Sequence, residues 1–222
     1  MGGPASIRHR LSRSMLRRVS AKRPLKRTVL IVGEGRETEP NYFYGLKLED
    51  AVAARSAVTV KRGPGFSPEQ VVQKAIQLRD TAKRHGKVFD EVWCVLDVEG
   101  IEKRESLNNA RDLAREAGIT LCLSNPCFEV WFLAHFVKKA RAYNDCDDVV
   151  SHLNKHWQKH FRQDYEKSDE AVYRRLRDWT EEAVENARWV REIHHQGIPD
   201  TAKCNSSTEV YRLVAHLTCS SE

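Results

Sequence analysis

Over the first 140 positions, short apolar blocks alternate with longer amphipathic stretches. Val29 to Val32 is an unbroken apolar run that stops at Gly33-Glu34-Gly35. A run without alternation predicts a strand, 28–33, buried on both faces. Thr38-Glu39-Pro40 then reads as a helix start, with Thr38 as cap, Pro40 in the first turn and Glu39 near the positive end. This helix is expected to reach about Ala54 and to bury Phe43, Leu46 and Ala51. Ala57 to Lys61 predicts a second strand, and Arg62 to Phe66 a loop at its C-terminal end. Ser67-Pro68-Glu69-Gln70 opens a helix that buries Val71, Val72, Ala75 and Leu78 and stops near Gly86. Glu91 to Leu96 and Ile119 to Leu123 predict strands three and four. Between them, Arg104 to Gly118 carries Leu107, Ala110, Leu113 and Ala114 on one helical face. After Asn125-Pro126, Phe128 to Phe136 predicts another helix. Strands alternating with helices imply an α/β fold, with a mainly parallel four-stranded sheet flanked by helices.

Beyond residue 140 the pattern becomes helical. Helices are expected at Asp145 to Phe161, at Ser168 to Gln196, and from a capping box at Ser206-Ser207-Thr208-Glu209 to Leu217. The chain therefore divides into a tail (1–27), an α/β domain (28–140) and a helical C-terminal extension (141–222) packed on it. Length agrees, since 222 residues suit one domain of moderate size.

Charge sharpens this division. The net charge is +6, yet residues 1–27 hold nine Lys/Arg and no acid, leaving 28 basic against 31 acidic residues in the remainder. A basic arm of low apolar content is expected to be disordered alone, and to contact nucleic acid through Arg17, Arg18, Arg23 and Arg27. The other reading is a solvated leader. No run of 18 apolar residues suggests a membrane span, and no apolar segment suggests a secretory signal. The six cysteines form no Cys-x-x-Cys pair; Cys94 and Cys122 read as buried thiols. Zinc is disfavoured, and a reducing, cytoplasmic setting fits best.

The candidate chemistry lies at strand ends. Glu34 follows strand one between two glycines, where other groups can approach the backbone closely. Asp97 ends strand three, and Glu99 follows two residues later. Carboxylates gathered at the C-terminal edge of a parallel sheet suit a hard cation, Mg²⁺ or Mn²⁺. Glu39 either supports this group or only serves the helix dipole. Glu129 either joins it or orients a loop. Arg36 and Arg62 are either phosphate clamps or surface arginines. His152, His156 and His160 recur every four residues and read as a solvated or RNA-facing stripe rather than a metal site. No Walker A and no Gly-x-Gly-x-x-Gly occurs at the first turn, so ATP hydrolysis and nicotinamide binding are not expected.

Four segments carry a resemblance: Ile31-Val32-Gly33-Glu34-Gly35 with Thr38 to Phe43; Val92 to Glu99; Asn125-Pro126-Cys127-Phe128-Glu129 through Phe136; and Asn205-Ser206-Ser207-Thr208-Glu209-Val210. Over about residues 28–217 the chain resembles the RloB-like family. That family is associated with bacterial phage defence and carries a Toprim-like domain related to OLD-family nucleases. The chain departs from the Toprim pattern at Asp97-Val98-Glu99, where Asp-x-Asp is usual, and lacks the proline often found after Asn205. The resemblance implies a metal-dependent nuclease cutting RNA, tRNA among them, or DNA, with Glu34, Asp97 and Glu99 as metal-holding catalytic residues. It also implies a separate AAA/ABC-type ATPase as partner; a homo-oligomer is compatible with it. The competing reading is a non-catalytic module that binds nucleic acid or a partner.

Overall fold

The computed structural model describes residues 26–63, 67–98 and 104–218. Its centre is a sheet of five strands rather than the expected four, in the order β2-β1-β3-β4-β5. They are β1 (Arg27–Gly33), β2 (Ser56–Lys61), β3 (Glu91–Asp97), β4 (Thr120–Asn125) and β5 (Ser207–Thr208). The first four run parallel; β5 is antiparallel and pairs through Ser124 with Thr208 and Asn125 with Ser207. The expected capping box is therefore two residues of strand plus one acid. Glu209 holds that edge with its side chain: Oε2 accepts from the Leu123 N–H at 3.1 Å, and Oε1 from the Thr201 hydroxyl at 2.8 Å. A sequence scan sees a cap because Ser, Thr and Glu serve helix starts and edge contacts alike.

The unbroken apolar run of β1 is explained by two cores. Val29 and Ile31 face one, Leu30 and Val32 the other. Helices α3 (Pro68–Arg84) and α4 (Arg104–Ala117) cover the second face through Val71, Val72, Ala75, Leu107, Ala110 and Ala114. The opposite face carries α1 (Thr38–Leu46), α2 (Asp50–Arg55), α5 (Glu129–Ala134), α6 (Cys146–Phe161), α7 (Val172–Leu176), α8 (Thr180–Arg188) and α9 (Val210–Thr218). One continuous cluster runs from Val29 to Leu217, so the C-terminal helices share the core of the α/β part.

Local signals succeeded where one side chain makes the cap. Ser67 Oγ accepts from the Gln70 N–H at 3.4 Å with Pro68 behind it, and Asp145 caps α6 by accepting from the Asp148 N–H at 2.9 Å. Two long helices are instead broken. The first stops at Leu46, and α2 begins after a turn at 47–49; its cap position is Glu37, not Thr38. The stretch 168–196 breaks into α7, a 3₁₀ turn at Arg177–Trp179, α8 and a wider turn at Trp189–His194. Arg191 accounts for the last break. It is buried and donates to Thr201 Oγ1 and to the carbonyls of Ile198 and Pro199, which fold the chain back on itself. Among the described residues no helix is long and apolar enough to cross a membrane.

Glu209 satisfies a backbone donor of β4 from across the sheet edge. Its replacement by Ala leaves the Leu123 N–H without that acceptor, and we expect a loss of about 1–3 kcal/mol in urea unfolding at constant m-value.

Candidate functional site

β1 lies directly beside β3, with Gly33 opposite Val95. The chain leaving β1 enters α1 on one face, whereas the chain leaving β3 enters α4 on the other. The two exits diverge and open a crevice at the C-terminal edge, the place where open α/β sheets hold ligands.

Glu34 and Asp97 meet in this crevice. The Glu34 N–H continues the ladder to the Val95 carbonyl at 3.0 Å, and Glu34 Oε2 accepts from the Asp97 N–H at 3.0 Å. Glu34 is 8 % exposed. Glu39, on the first turn of α1, reaches back so that its Oε1 accepts from the Gly35 N–H at 2.9 Å. The glycines have a steric basis. A Cβ at Gly35 would fall 2.6 Å from Glu39 Oε2, and one at Gly63, beyond β2, would fall 2.0 Å from the Gly33 carbonyl oxygen.

Glu129, the first residue of α5, completes the group and is buried. Its Oε1 accepts from the Tyr165 hydroxyl at 3.2 Å and lies 3.5 Å from Lys167 Nζ. Burial raises the Glu39 carboxyl to about 6 against the downward pull of its backbone hydrogen bonds, and the nearby Glu129 and Glu34 push it further up. Three buried glutamates thus share one crevice.

Cys127 and Cys146 border Glu129 and are joined as a disulfide, with Cys146 Sγ 3.4 Å from Glu129 Oε2. The reducing setting expected from the sequence did not anticipate this pairing, whereas Cys94 and Cys122 are buried free thiols as expected, together with Cys204. Cys127, Glu129 and Cys146 are also the one set of three ligand-type side chains, among the described residues, whose ligand atoms lie within 4.8 Å of one another. With the sulfurs joined and Lys167 already beside Glu129, that set is a poor cation site.

The family model for RloB-like proteins matches residues 29–217. The chain belongs to the RloB-like family. No curated protein matches it.

In this RloB-like chain the expected residues separate into three groups. Glu34, Asp97, Glu39 and Glu129 come together. Glu99, Arg17, Arg18 and Arg23 lie outside the described residues. Among the remaining arginines, Arg36 is exposed in the turn after Glu34. Arg62 is exposed beyond β2 and lines an open cleft of about 300 Å³ with Asn41, Tyr44 and Glu170. Arg27, expected on nucleic acid, sits at the opposite edge of the sheet. There it pairs with Glu91 at 3.5 Å and donates to the His216 carbonyl at 3.2 Å. Tyr165 and Lys167, which hold Glu129, were missed; they lie in the 162–171 connection, where no periodicity or motif marks them.

The carboxylates are hard-cation donors in kind, though among the described residues no three of them bring an oxygen each within 4.8 Å of one another. Two consequences are measurable. Glu39 titrates above its ordinary 4.5, at about 6, so the stability of its neutral form is fully present below about pH 4.5 and is lost as pH rises through about 6. Glu39→Gln, kept in chelator, should therefore gain about 2 kcal/mol on the wild type between pH 4 and pH 7 in paired denaturant titrations. Gly63→Ala forces the β1 turn and the β2 exit apart, and should lower unfolding free energy by about 1–3 kcal/mol in the same titration.

Proposed function

We propose that this RloB-like protein is a metal-dependent phosphodiesterase acting on RNA or DNA, a Toprim-type nuclease of bacterial phage defence that works with a separate ATPase. One observation carries the chemical part: Glu34 and Asp97 adjoin at the crevice between β1 and β3, joined through the Asp97 N–H at 3.0 Å. The defence setting and the ATPase partner rest on the family resemblance.

In this reading Glu34 and Asp97 hold Mg²⁺ or Mn²⁺, with Glu99 following on the same segment. A cation so held would activate a water and neutralise charge on the phosphate and the leaving oxygen. The chain's own part is positional. The Asp97 N–H fixes the Glu34 carboxylate, and the Gly35 N–H fixes Glu39. Tyr165 and Lys167 orient Glu129, and Lys167 offsets part of its charge. Arg36 and Arg62, both exposed, would meet phosphate in this reading.

A second reading, a non-catalytic binding module, is favoured by the same hydrogen bond, because a carboxylate that caps a backbone N–H already has a structural task. Cleavage of tRNA, single-stranded RNA and duplex DNA, with Mg²⁺, with Mn²⁺ and with EDTA, separates the two. The nuclease reading expects metal-dependent cutting, reduced at least about a hundredfold by Glu34→Gln and by Asp97→Asn. Cutting that persists unchanged in both variants sinks it. No cutting of any polymer, together with no Mn²⁺ binding by calorimetry, favours the module.

A further inference from the structure

We infer that the face built from α6 and the connection after α5 is a docking surface for single-stranded nucleic acid, on which bases stack against a row of rings while lysines follow the phosphates. The inference rests on the nuclease reading and deepens it by naming the form of the polymer.

The first observation is charge. Residues 130–163 contain six Lys/Arg and three acids, and the acids, Asp145, Asp147 and Asp148, all lie at the start of α6. There they favour the helix dipole, and Asp148 pairs with Arg141 at 3.2 Å. Lys138, Lys139, Lys155 and Lys159 are exposed, and none is within ion-pair distance of an acid among the described residues.

The second observation is a continuous ladder of rings along this charge. Tyr143 stands 5.9 Å from His152, which stands 5.3 Å from His156. Phe136 lies between His156 and His160, nearly parallel to the first at 5.8 Å and 8°, and stacked on the second at 5.0 Å and 24°. Trp179 closes the row 5.4 Å from His160. Tyr143 is buried, His160 is exposed, and the other rings are half-buried. The four-residue period of the histidines places them on one side of α6, just beside the stripe of Val149, Leu153 and Trp157 that enters the core.

Ring and charge occupy the same ground. The charged groups that depress His152, after burial, are His156, Arg141, Lys155 and Lys139; for His156 they are His160 and Lys159. All are cationic. Burial, and then these neighbours, hold His152 and His156 below the ordinary histidine value, so their rings add little charge while the lysines supply it. Aromatic faces within a cationic border are how proteins hold single strands without reading sequence, because every base has a stackable face and every nucleotide a phosphate. A duplex keeps its bases stacked on each other and gains nothing from the rings.

The test measures binding apart from cleavage. A fluorescein-labelled oligouridylate of about 20 nucleotides is titrated with the full chain in EDTA, reading anisotropy over a range of salt. Removing one lysine from a phosphate should weaken binding about fourfold at about 0.15 M salt and reduce the log–log salt slope by about 0.7. Lys155→Gln/Lys159→Gln should therefore bind at least about tenfold more weakly with a slope smaller by about 1.4. Lys74→Gln/Lys83→Gln, on α3 across the sheet, should stay within about twofold of the wild type. His156→Ala/His160→Ala, checked for folding by circular dichroism, should bind at least about fivefold more weakly with the slope unchanged. The proposal is overturned if the two lysine pairs behave alike, or if duplex RNA competes as well as single strand. If the surface variants lose binding while no polymer is cut and no Mn²⁺ is bound, the surface stands and the nuclease reading falls. If Lys155→Gln/Lys159→Gln binds and cuts like the wild type, the reverse holds.

Discussion

Everything at the acidic crevice depends on the parallel pairing of β1 with β3. β1 is apolar on both faces, so helices must cover it on both sides. The chain meets that requirement by sending α1 to one side after β1 and α4 to the other after β3. Two strands side by side with exits in opposite directions leave a gap at their ends. The peptide groups lining that gap are already partly used: the Glu34 N–H extends the ladder to Val95, and the Asp97 N–H turns to the Glu34 side chain. The crevice is thus a consequence of covering a two-faced strand, and the carboxylates occupy a place the sheet cannot close.

That place is electrostatically uncomfortable. Glu34, Glu39 and Glu129 are each less than a tenth exposed, and Lys167, which lies beside Glu129, is itself more than half exposed. Burial first, and the nearby Glu129 and Glu34 with it, raise the Glu39 carboxyl. A fold that needed only stability would replace such a group with apolar side chains of similar volume at little or no cost. A proton on Glu39 relieves part of that repulsion, and under the proposed nuclease reading a divalent cation would relieve it too.

The strands and the crevice were legible because they rest on short-range pattern. Val29 to Val32 ending at a Gly-Glu-Gly turn, and Val92 to Leu96 ending at Asp97, mark two strand ends; a parallel sheet then brings them together. The antiparallel fifth strand was hidden because Ser207-Thr208 is two residues long and its Ser, Thr and Glu neighbours also suit a helix cap. The breaks in 168–196 were hidden because they follow from Arg191 meeting carbonyls seven and eight residues ahead, a contact that no periodicity encodes. Lys167 and Tyr165 escaped for the same reason: their partner Glu129 lies more than 30 residues back. The cysteines show the limit most plainly. Cys127 and Cys146 are 19 positions apart with no motif between them, and only the packing of α5 against the start of α6 brings their sulfurs together.

The α5–α6 pair also sets how the two poles of the molecule are related. At one end, Glu129 opens α5 and touches Cys146, which opens α6. At the other, Phe136, just past α5, is enclosed by His156 and His160 of α6. The same two helices therefore carry an anionic crevice at their beginnings and a cationic row of rings toward their ends. Tyr165 adds a brace between them, since its hydroxyl donates to Glu129 while its ring packs on Trp157 in the middle of α6. Such a pair cannot slide without disrupting the packing at both ends, so the distance from crevice to row is fixed by packing rather than by a loop. A polyanion attracted to the lysines would be repelled by the glutamates of the crevice. Under the proposed nuclease reading, a metal ion in the crevice would offset that repulsion and let one strand lie across both poles.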